Sequence, residues 1–167
     1  MYDTGLVHFA EPKKLTPAEE KEIAEMYFDV WFKRAIEFSI DTTHAFNRGS
    51  YNKAAFELHQ ATESLYYAIL LVFTGYKPKT HNLYKLRKYA KHLSEELFLI
   101  FPVETSKEEK HLFDLLKRGY IDARYKIDYE ITEQELRTLM EREKQMQEIA
   151  DRICKEKIAS LTATIKT

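Results

Sequence analysis

Residues 121–130, IDARYKIDYE, place two tyrosines, an arginine, a lysine and three carboxylates between two stretches with helical character. A plain connection between helices is usually rich in glycine, proline, serine or asparagine, and this segment contains none of them. Arginine grips phosphate through two parallel hydrogen bonds, and tyrosine offers an aromatic face with a hydroxyl. The segment is therefore either an unusually aromatic linker or the edge of an anion site, with Arg124 as its centre.

A second set of chemically able residues precedes this segment. His59 and Glu63 lie four positions apart in a predicted helix, so they are neighbours on its surface. The loop TGYKPKTHN that follows leads into a predicted helix start at His81, and helix N-termini attract anions. The alternatives are a hydrogen-bonded core residue for His59, an ordinary ion pair for Glu63 and a plain helix-start residue for His81. For Arg124 the alternative is a pairing with Asp122, Asp128 or a helix C-terminus. The His59 stripe also carries Ala55, Thr62, Tyr66 and Ile69.

The composition limits where such a site can be. The 167 residues predict one domain, and 44% apolar with 32% charged residues is typical of a soluble globular protein. The net charge of −1 excludes a generally basic nucleic-acid coat, so an anion site must be local. The single Cys154 excludes an internal disulfide, argues against a zinc site and is expected to be buried. We expect no metal and no cofactor.

The chain also lacks membrane and export signals. Its longest apolar run, AILLVF at 68–73, is too short to cross a bilayer. The N-terminus does not show the basic and then apolar pattern of a signal peptide. We therefore expect a cytoplasmic protein without membrane contact.

Capping motifs divide the chain into helices. TPAE, SKEE and TEQE place Thr16, Ser106 and Thr132 at helix starts, each with a glutamate three positions on. Gly49, Gly75 and Pro102 supply stops. These signals predict an all-α antiparallel bundle of about five helices, at 17–47, 51–74, 81–99, 107–124 and 133–160. Residues 1–15 are predicted to form an extended arm or linker, and residues 16–167 the helical domain.

Three motifs in order resemble the HEPN family of helical domains. They are AAFELHQATESLYYAIL, then THNLYKL, then ARY at residues 123–125, and the resemblance covers roughly residues 25–155. The segment at residues 2–20, YDTGLVHFAEPKKLTPAEE, is similar to the connection between a minimal nucleotidyltransferase domain and its C-terminal HEPN domain. The resemblance implies a bundle of four or five helices, usually a homodimer, with a polar cleft.

The resemblance also implies a choice of activity. Many HEPN domains are metal-independent ribonucleases, including toxins paired with nucleotidyltransferase antitoxins, and carry an arginine followed four to six residues later by histidine. Here Arg124 is followed by Tyr129 at that spacing, and no histidine falls in the window. A tyrosine hydroxyl titrates near pH 10 and is a poor general base. The chain is therefore expected to be a non-catalytic module of the nucleotide-binding branch.

The candidate nucleotide-binding residues follow from these motifs, with no catalytic residue among them. Two alternatives stay open: a ribonuclease that uses His59 or His81 in place of the missing histidine, and a dimerising scaffold without a ligand. Expected partners are a second copy of the chain, a nucleotide or RNA, and a nucleotidyltransferase domain in the same or another chain. The candidates are Arg124, His59, Glu63, His81, Tyr125, Tyr129 and Lys53.

Overall fold

The computed structural model describes residues 14–163, with side chains described through Leu161, and every regular element in that range is an α-helix. The predicted all-α fold is confirmed. The predicted arm lies outside the described residues, apart from Lys14 and Leu15. The elements are α1 Pro17–Asn47, α2 Tyr51–Thr74, α3 Leu83–Ala90, α4 Glu95–Phe98, α5 Lys107–Arg118, α6 Asp122–Tyr125 and α7 Glu133–Ala163.

Local capping begins three of these helices where the sequence predicts. The Thr16 and Ser106 hydroxyls accept hydrogen bonds from backbone amides three positions on, at 3.2 and 3.1 Å. At Thr132 the motif is reciprocal, because the Glu135 carboxylate also accepts from the Thr132 amide at 2.9 Å. Gly75 ends α2 with φ 71°, a left-handed conformation that glycine adopts without steric cost.

The predicted third helix is divided in two. Asn82 caps α3 by accepting hydrogen bonds from the amides of Tyr84 and Lys85, so His81 lies before the helix rather than at its start. The chain leaves the helix at Ala90, and Ser94 caps α4 through the amide of Leu97. Asparagine and serine compete with helix continuation in this way because their side chains satisfy the free amides of a new helix start.

The predicted fourth helix is also divided, and the ARY motif does not form its C-terminal end. α5 stops at Arg118, a turn follows, and ARY belongs to the separate short helix α6. The break occurs where Gly119 packs against α2. A Cβ atom at Gly119 would lie 2.8 Å from the Ala55 carbonyl oxygen, so only glycine allows this approach.

α2 is the central helix of the bundle. α1 and α7 pack along it, and α3, α5 and α6 cover its remaining faces. Its side chains are hydrophobic on all sides, and such a helix is stable only in the interior. From Ala54 to Val72 it is accordingly buried almost without interruption. Five polar side chains of this helix are nevertheless buried, and buried polar groups require partners. They are Glu57, His59, Thr62, Glu63 and Ser64.

Candidate functional site

Glu63 is the buried carboxylate around which the site is built. Only 6% of the residue is exposed, and burial raises the pKa of its carboxyl while hydrogen bonding to His81 opposes that rise. The His81 Nδ1 atom lies 3.1 and 3.0 Å from the two carboxylate oxygens. His81 itself keeps 55% of its side chain exposed. The carboxylate therefore fixes the orientation of a surface imidazole.

His59 lies beside Glu63 but is fully buried. Its Nε2 atom donates to the His81 carbonyl at 3.1 Å, and its Nδ1 atom lies 3.3 Å from the Gln60 side-chain oxygen and 3.8 Å from Glu63. Burial is the main cause that lowers the pKa of His59 to about 4, so the ring is neutral near pH 7. Its hydrogen bond holds the backbone that carries His81.

Tyr120 joins the two histidines to the ARY segment. Its ring stacks on His59 and His81 at centroid distances of 5.1 and 4.6 Å. The sequence interpretation missed this residue, although its position directly after Gly119, at the entry to IDARY, is a signal. Because Gly119 brings the turn against α2, the tyrosine next to it reaches the α2 histidine.

Glu63, His59, His81 and Tyr120 form one cluster of contacting side chains, and Arg124 extends this cluster to the surface. Its Nε atom donates to the Tyr120 carbonyl at 2.8 Å, and its guanidinium carbon lies 4.4 Å from the Phe56 ring centroid and 4.9 Å from that of Tyr125. An ion pair with Asp122 was one alternative, but Asp122 binds Arg118 and Lys126 instead. Among residues 14–163, Arg124 has no carboxylate partner.

The other three predicted site residues differ in their placement. Tyr125 is 73% exposed and packs on Arg124. Lys53 pairs with Glu57 at 2.8 Å and lies 5.7 Å from the Phe56 ring, at the margin of the cluster. The structure does not bring Tyr129 to the cluster. It is buried, and its hydroxyl donates to the Leu115 carbonyl at 2.7 Å.

Residues 28–154 match the family model of the HEPN domain, three quarters of the chain. The chain belongs to the HEPN family. No curated protein matches the sequence. Within the HEPN domain, the cluster brings together the three motifs on which the resemblance was based: His59 and Glu63 from the first, His81 from the second and Arg124 from the third. The position five residues after Arg124, where HEPN ribonucleases carry their histidine, is the buried Tyr129.

Three further properties of the HEPN domain concern metal binding, membrane spanning and thiol reactivity. No three histidine, cysteine, aspartate or glutamate side chains of the described residues converge as metal ligands do. None of the helices in the described part of the chain is both long and apolar enough to cross a bilayer. The single thiol, Cys154, is buried, and burial raises its pKa to about 12, so it is not a reactive nucleophile.

Proposed function

We propose that this HEPN domain binds the phosphate of a nucleotide or of RNA at the surface formed by Arg124 and His81, and that it does not cleave its ligand. The observation that carries the proposal is the state of Arg124. It is an exposed arginine that stacks on aromatic rings and forms no ion pair with the described residues.

The contacts of Arg124 suit a phosphate ligand. The hydrogen bond from Nε to the Tyr120 carbonyl fixes the plane of the guanidinium and leaves its two terminal nitrogens for a ligand. Phosphate accepts two parallel hydrogen bonds from such a fork. The exposed Tyr125 ring next to it provides a face on which a base can stack. His81 adds an oriented imidazole at the other side of Tyr120, and in its imidazolium form the Nε2 atom donates to an anion.

The expected lack of cleavage is supported by two of the three acid and base candidates, which are not available at the surface. Tyr129 replaces the histidine of HEPN ribonucleases, and its hydroxyl is used inside the core. His59 is fully buried, with a pKa lowered to about 4, and its Nε2 atom is hydrogen-bonded to the His81 carbonyl. Neither side chain can exchange a proton with a ligand at the surface.

One contact favours a second candidate function, a metal-independent ribonuclease. Glu63 holds the Nδ1 side of His81 and leaves Nε2 at the surface, as carboxylates orient catalytic histidines in hydrolases. In this alternative His81 is the general acid or base of the cleavage, and Arg124 stabilises the negative charge that develops on the phosphoryl group. His81 rather than His59 is then the replacement for the missing histidine.

The test measures binding and cleavage on the same variants. Calorimetry with nucleoside triphosphates should show that Arg124→Ala weakens binding by roughly 1.5–3 kcal/mol, the scale of charged hydrogen bonds. Arg124→Lys should recover only part of this loss because lysine lacks the planar fork. Arg152→Ala is the matched control, since Arg152 is an exposed α7 arginine that pairs with Glu96.

Single-stranded RNA incubated without metal with the same proteins should remain intact. Cleavage by the native chain that His81→Ala abolishes would replace the proposal with the ribonuclease alternative. Equal nucleotide affinity in the native chain and Arg124→Ala would move the binding site elsewhere.

We further propose that this domain works in the cytoplasm beside a nucleotidyltransferase domain, in the same or a separate chain, as in toxin–antitoxin or defence systems. The support is the similarity of residues 2–20 to the connecting segment of such proteins. Copurification of the untagged native protein with a nucleotidyltransferase tests whether the partner is a separate chain. The length of the native chain tests whether the nucleotidyltransferase domain belongs to the same chain.

A further inference from the structure

A second group of unpaired cations lies beside Trp31, away from Arg124. The Arg34 guanidinium carbon is 4.4 Å from the indole centroid. The Lys77 ammonium is 5.5 Å from the same ring and 4.5 Å from the ring of Tyr67. Neither cation forms an ion pair or hydrogen bond within the described residues. Their charges are held against aromatic faces rather than neutralised.

Such unpaired arginines are uncommon in this molecule. Five of the eight arginines in the described residues form ion pairs: Arg87, Arg118, Arg137, Arg142 and Arg152. Of the other three, Arg48 donates to the Ser50 hydroxyl. Arg34 and Arg124 both stack on aromatic rings. Arg34 and Arg124 thus share a guanidinium that lies on an aromatic ring and has no ion pair within the described residues, and only Arg124 also donates to a backbone carbonyl.

A continuous series of contacts connects the two cationic positions. The Trp31 ring meets Tyr67 edge to face at 5.2 Å. The Tyr67 hydroxyl donates to the Thr80 carbonyl, next to His81, and neighbours the Glu63 carboxylate. The Lys77 charge also acts on Glu63, where it opposes the rise of its pKa. From His81 the series continues through Tyr120 to Arg124.

The spacing along α2 shows how far apart its two ends lie. Phe56, under Arg124, and Tyr67, under Lys77, are eleven positions apart, which is close to three full helical turns, so both face the same side. A rise of 1.5 Å per residue separates them by about 16 Å. Glu63 lies between them on the same face of α2, and we call the face with Phe56, Glu63 and Tyr67 the α2 stripe. One phosphate cannot contact both ends.

From this arrangement we infer that the ligand is a single-stranded oligonucleotide that crosses the surface above this buried α2 stripe, over the exposed His81, with one phosphate at Arg124 and another at Lys77 and Arg34. This inference rests on the proposed function and specifies its ligand class. A nucleoside triphosphate has its charges at one end and an uncharged base at the other, whereas cations at both ends of the stripe are complementary to a ligand with an anion at both ends. The rings that reach the surface along this path, those of His81 and Tyr125, suit unpaired bases, which duplexes do not expose.

The test uses the only tryptophan of the chain as an internal reporter. Oligouridylates from a dinucleotide to an octanucleotide are titrated while Trp31 emission and the anisotropy of a labelled strand are recorded. Affinity should rise with length until both ends of the stripe are occupied, and only the longer strands should change Trp31 emission. The double variant Arg34→Gln/Lys77→Gln should weaken octanucleotide binding roughly tenfold and leave dinucleotide binding unchanged. The logarithmic slope of its salt dependence should fall by about 0.7 for each phosphate that the variant no longer neutralises.

Lys144→Gln is the matched control, because Lys144 is an exposed α7 lysine outside this stripe. The inference is overturned if a dinucleotide binds as tightly as an octanucleotide, or if a duplex of equal length binds equally well. It is also overturned if a nucleoside triphosphate shows the same dependence on Arg34 and Lys77. In each of these cases a loss of binding in Arg124→Ala would leave the proposed function standing. Failure of every nucleotide and oligonucleotide to bind would overturn both.

Discussion

His59 and His81 have opposite chemical situations although both contact Tyr120. His59 is buried, and its Nδ1 atom lies 3.8 Å from the Glu63 carboxylate, too far for a hydrogen bond. Desolvation therefore lowers its pKa, and the ring remains a neutral structural group. His81 is half exposed and is held by a carboxylate. The same residue type therefore serves once as a buried support and once as an oriented imidazole at the surface, and the difference lies in burial rather than in neighbouring sequence.

Glu143 on α7 is a second buried carboxylate, outside the candidate site. It is 1% exposed, and within the described part of the chain it accepts hydrogen bonds only from the neutral Ser39 hydroxyl and Gln147 amide. It lines a cleft of about 390 Å³ between α1 and α7. Burial raises the pKa of this carboxyl from 4.5 to about 7. Its ionisation therefore costs the folded protein free energy.

We predict a pH-dependent stability effect at Glu143. Below pH 4.5 the carboxyl is protonated in both states and contributes nothing. As the pH rises to 7, only the unfolded state loses the proton, so stability falls by up to about 3 kcal/mol and stays lower above pH 7. Glu143→Gln should therefore be more favourable at pH 8 than at pH 4.5 in urea unfolding. Glu141→Gln, its exposed neighbour, should show no such difference. An equal effect of Glu143→Gln at both pH values would contradict the raised pKa.

At the scale of elements, the break between α5 and α6 positions the site. Gly119 allows the turn to contact the α2 backbone at Ala55, and the turn places Tyr120 on the α2 histidine and Arg124 on Phe56. A continuous helix through residue 124 would carry these side chains along a different path. The close approach of two backbones is therefore a condition for the cluster.

Gly119→Ala should test this condition. The added Cβ would lie 2.8 Å from a backbone oxygen that is fixed in α2, so the turn must move, at a cost of about 1–3 kcal/mol. We expect a lower urea midpoint and weaker nucleotide binding, since Tyr120 and Arg124 move with the turn. Gly49→Ala is the control. Its strain comes from a φ of 78° with no clash, so it should lower stability but keep affinity. Equal affinity in native and Gly119→Ala proteins would contradict the proposed coupling.

At the scale of the whole molecule, the segment that carries Arg124 exposes apolar side chains. Ile121 is 53% exposed and Ile127 is fully exposed. Exposed apolar side chains that lie together mark protein–protein interfaces, and the 13% aromatic content exceeds what a small bundle needs for its own core. A second copy of the chain fits the dimer expected from the family resemblance.

We therefore predict a homodimer. Light scattering at micromolar concentration should give twice the 19.8 kDa chain mass, and Ile121→Asp/Ile127→Asp should shift the mass towards the monomer. Leu99→Asp is the control, because Leu99 is equally exposed but lies at the end of α4. A monomer across the concentration range would contradict the prediction. A dimer that the paired substitutions do not disturb would place the interface elsewhere.

Local interactions are what the amino-acid sequence determined by itself. Caps at Thr16, Ser106 and Thr132 act over three residues, and the left-handed Gly75 acts on its own backbone. The bounds of α1 and α2 were predicted to the residue, and the proximity of His59 and Glu63 follows from helical spacing. The HEPN family also follows from sequence, since its motifs are contiguous.

The tertiary structure decided which of these residues meet. Glu63 binds His81, eighteen residues away, more closely than the neighbouring His59. Tyr120 lies in the site and Tyr129 lies in the core, although both are close in sequence to the ARY motif. These choices depend on how closely α5 and α6 approach α2, which a single glycine permits at Ala55. Helical periodicity fixes neighbours within a helix, but contacts between helices depend on packing distances that no local pattern encodes.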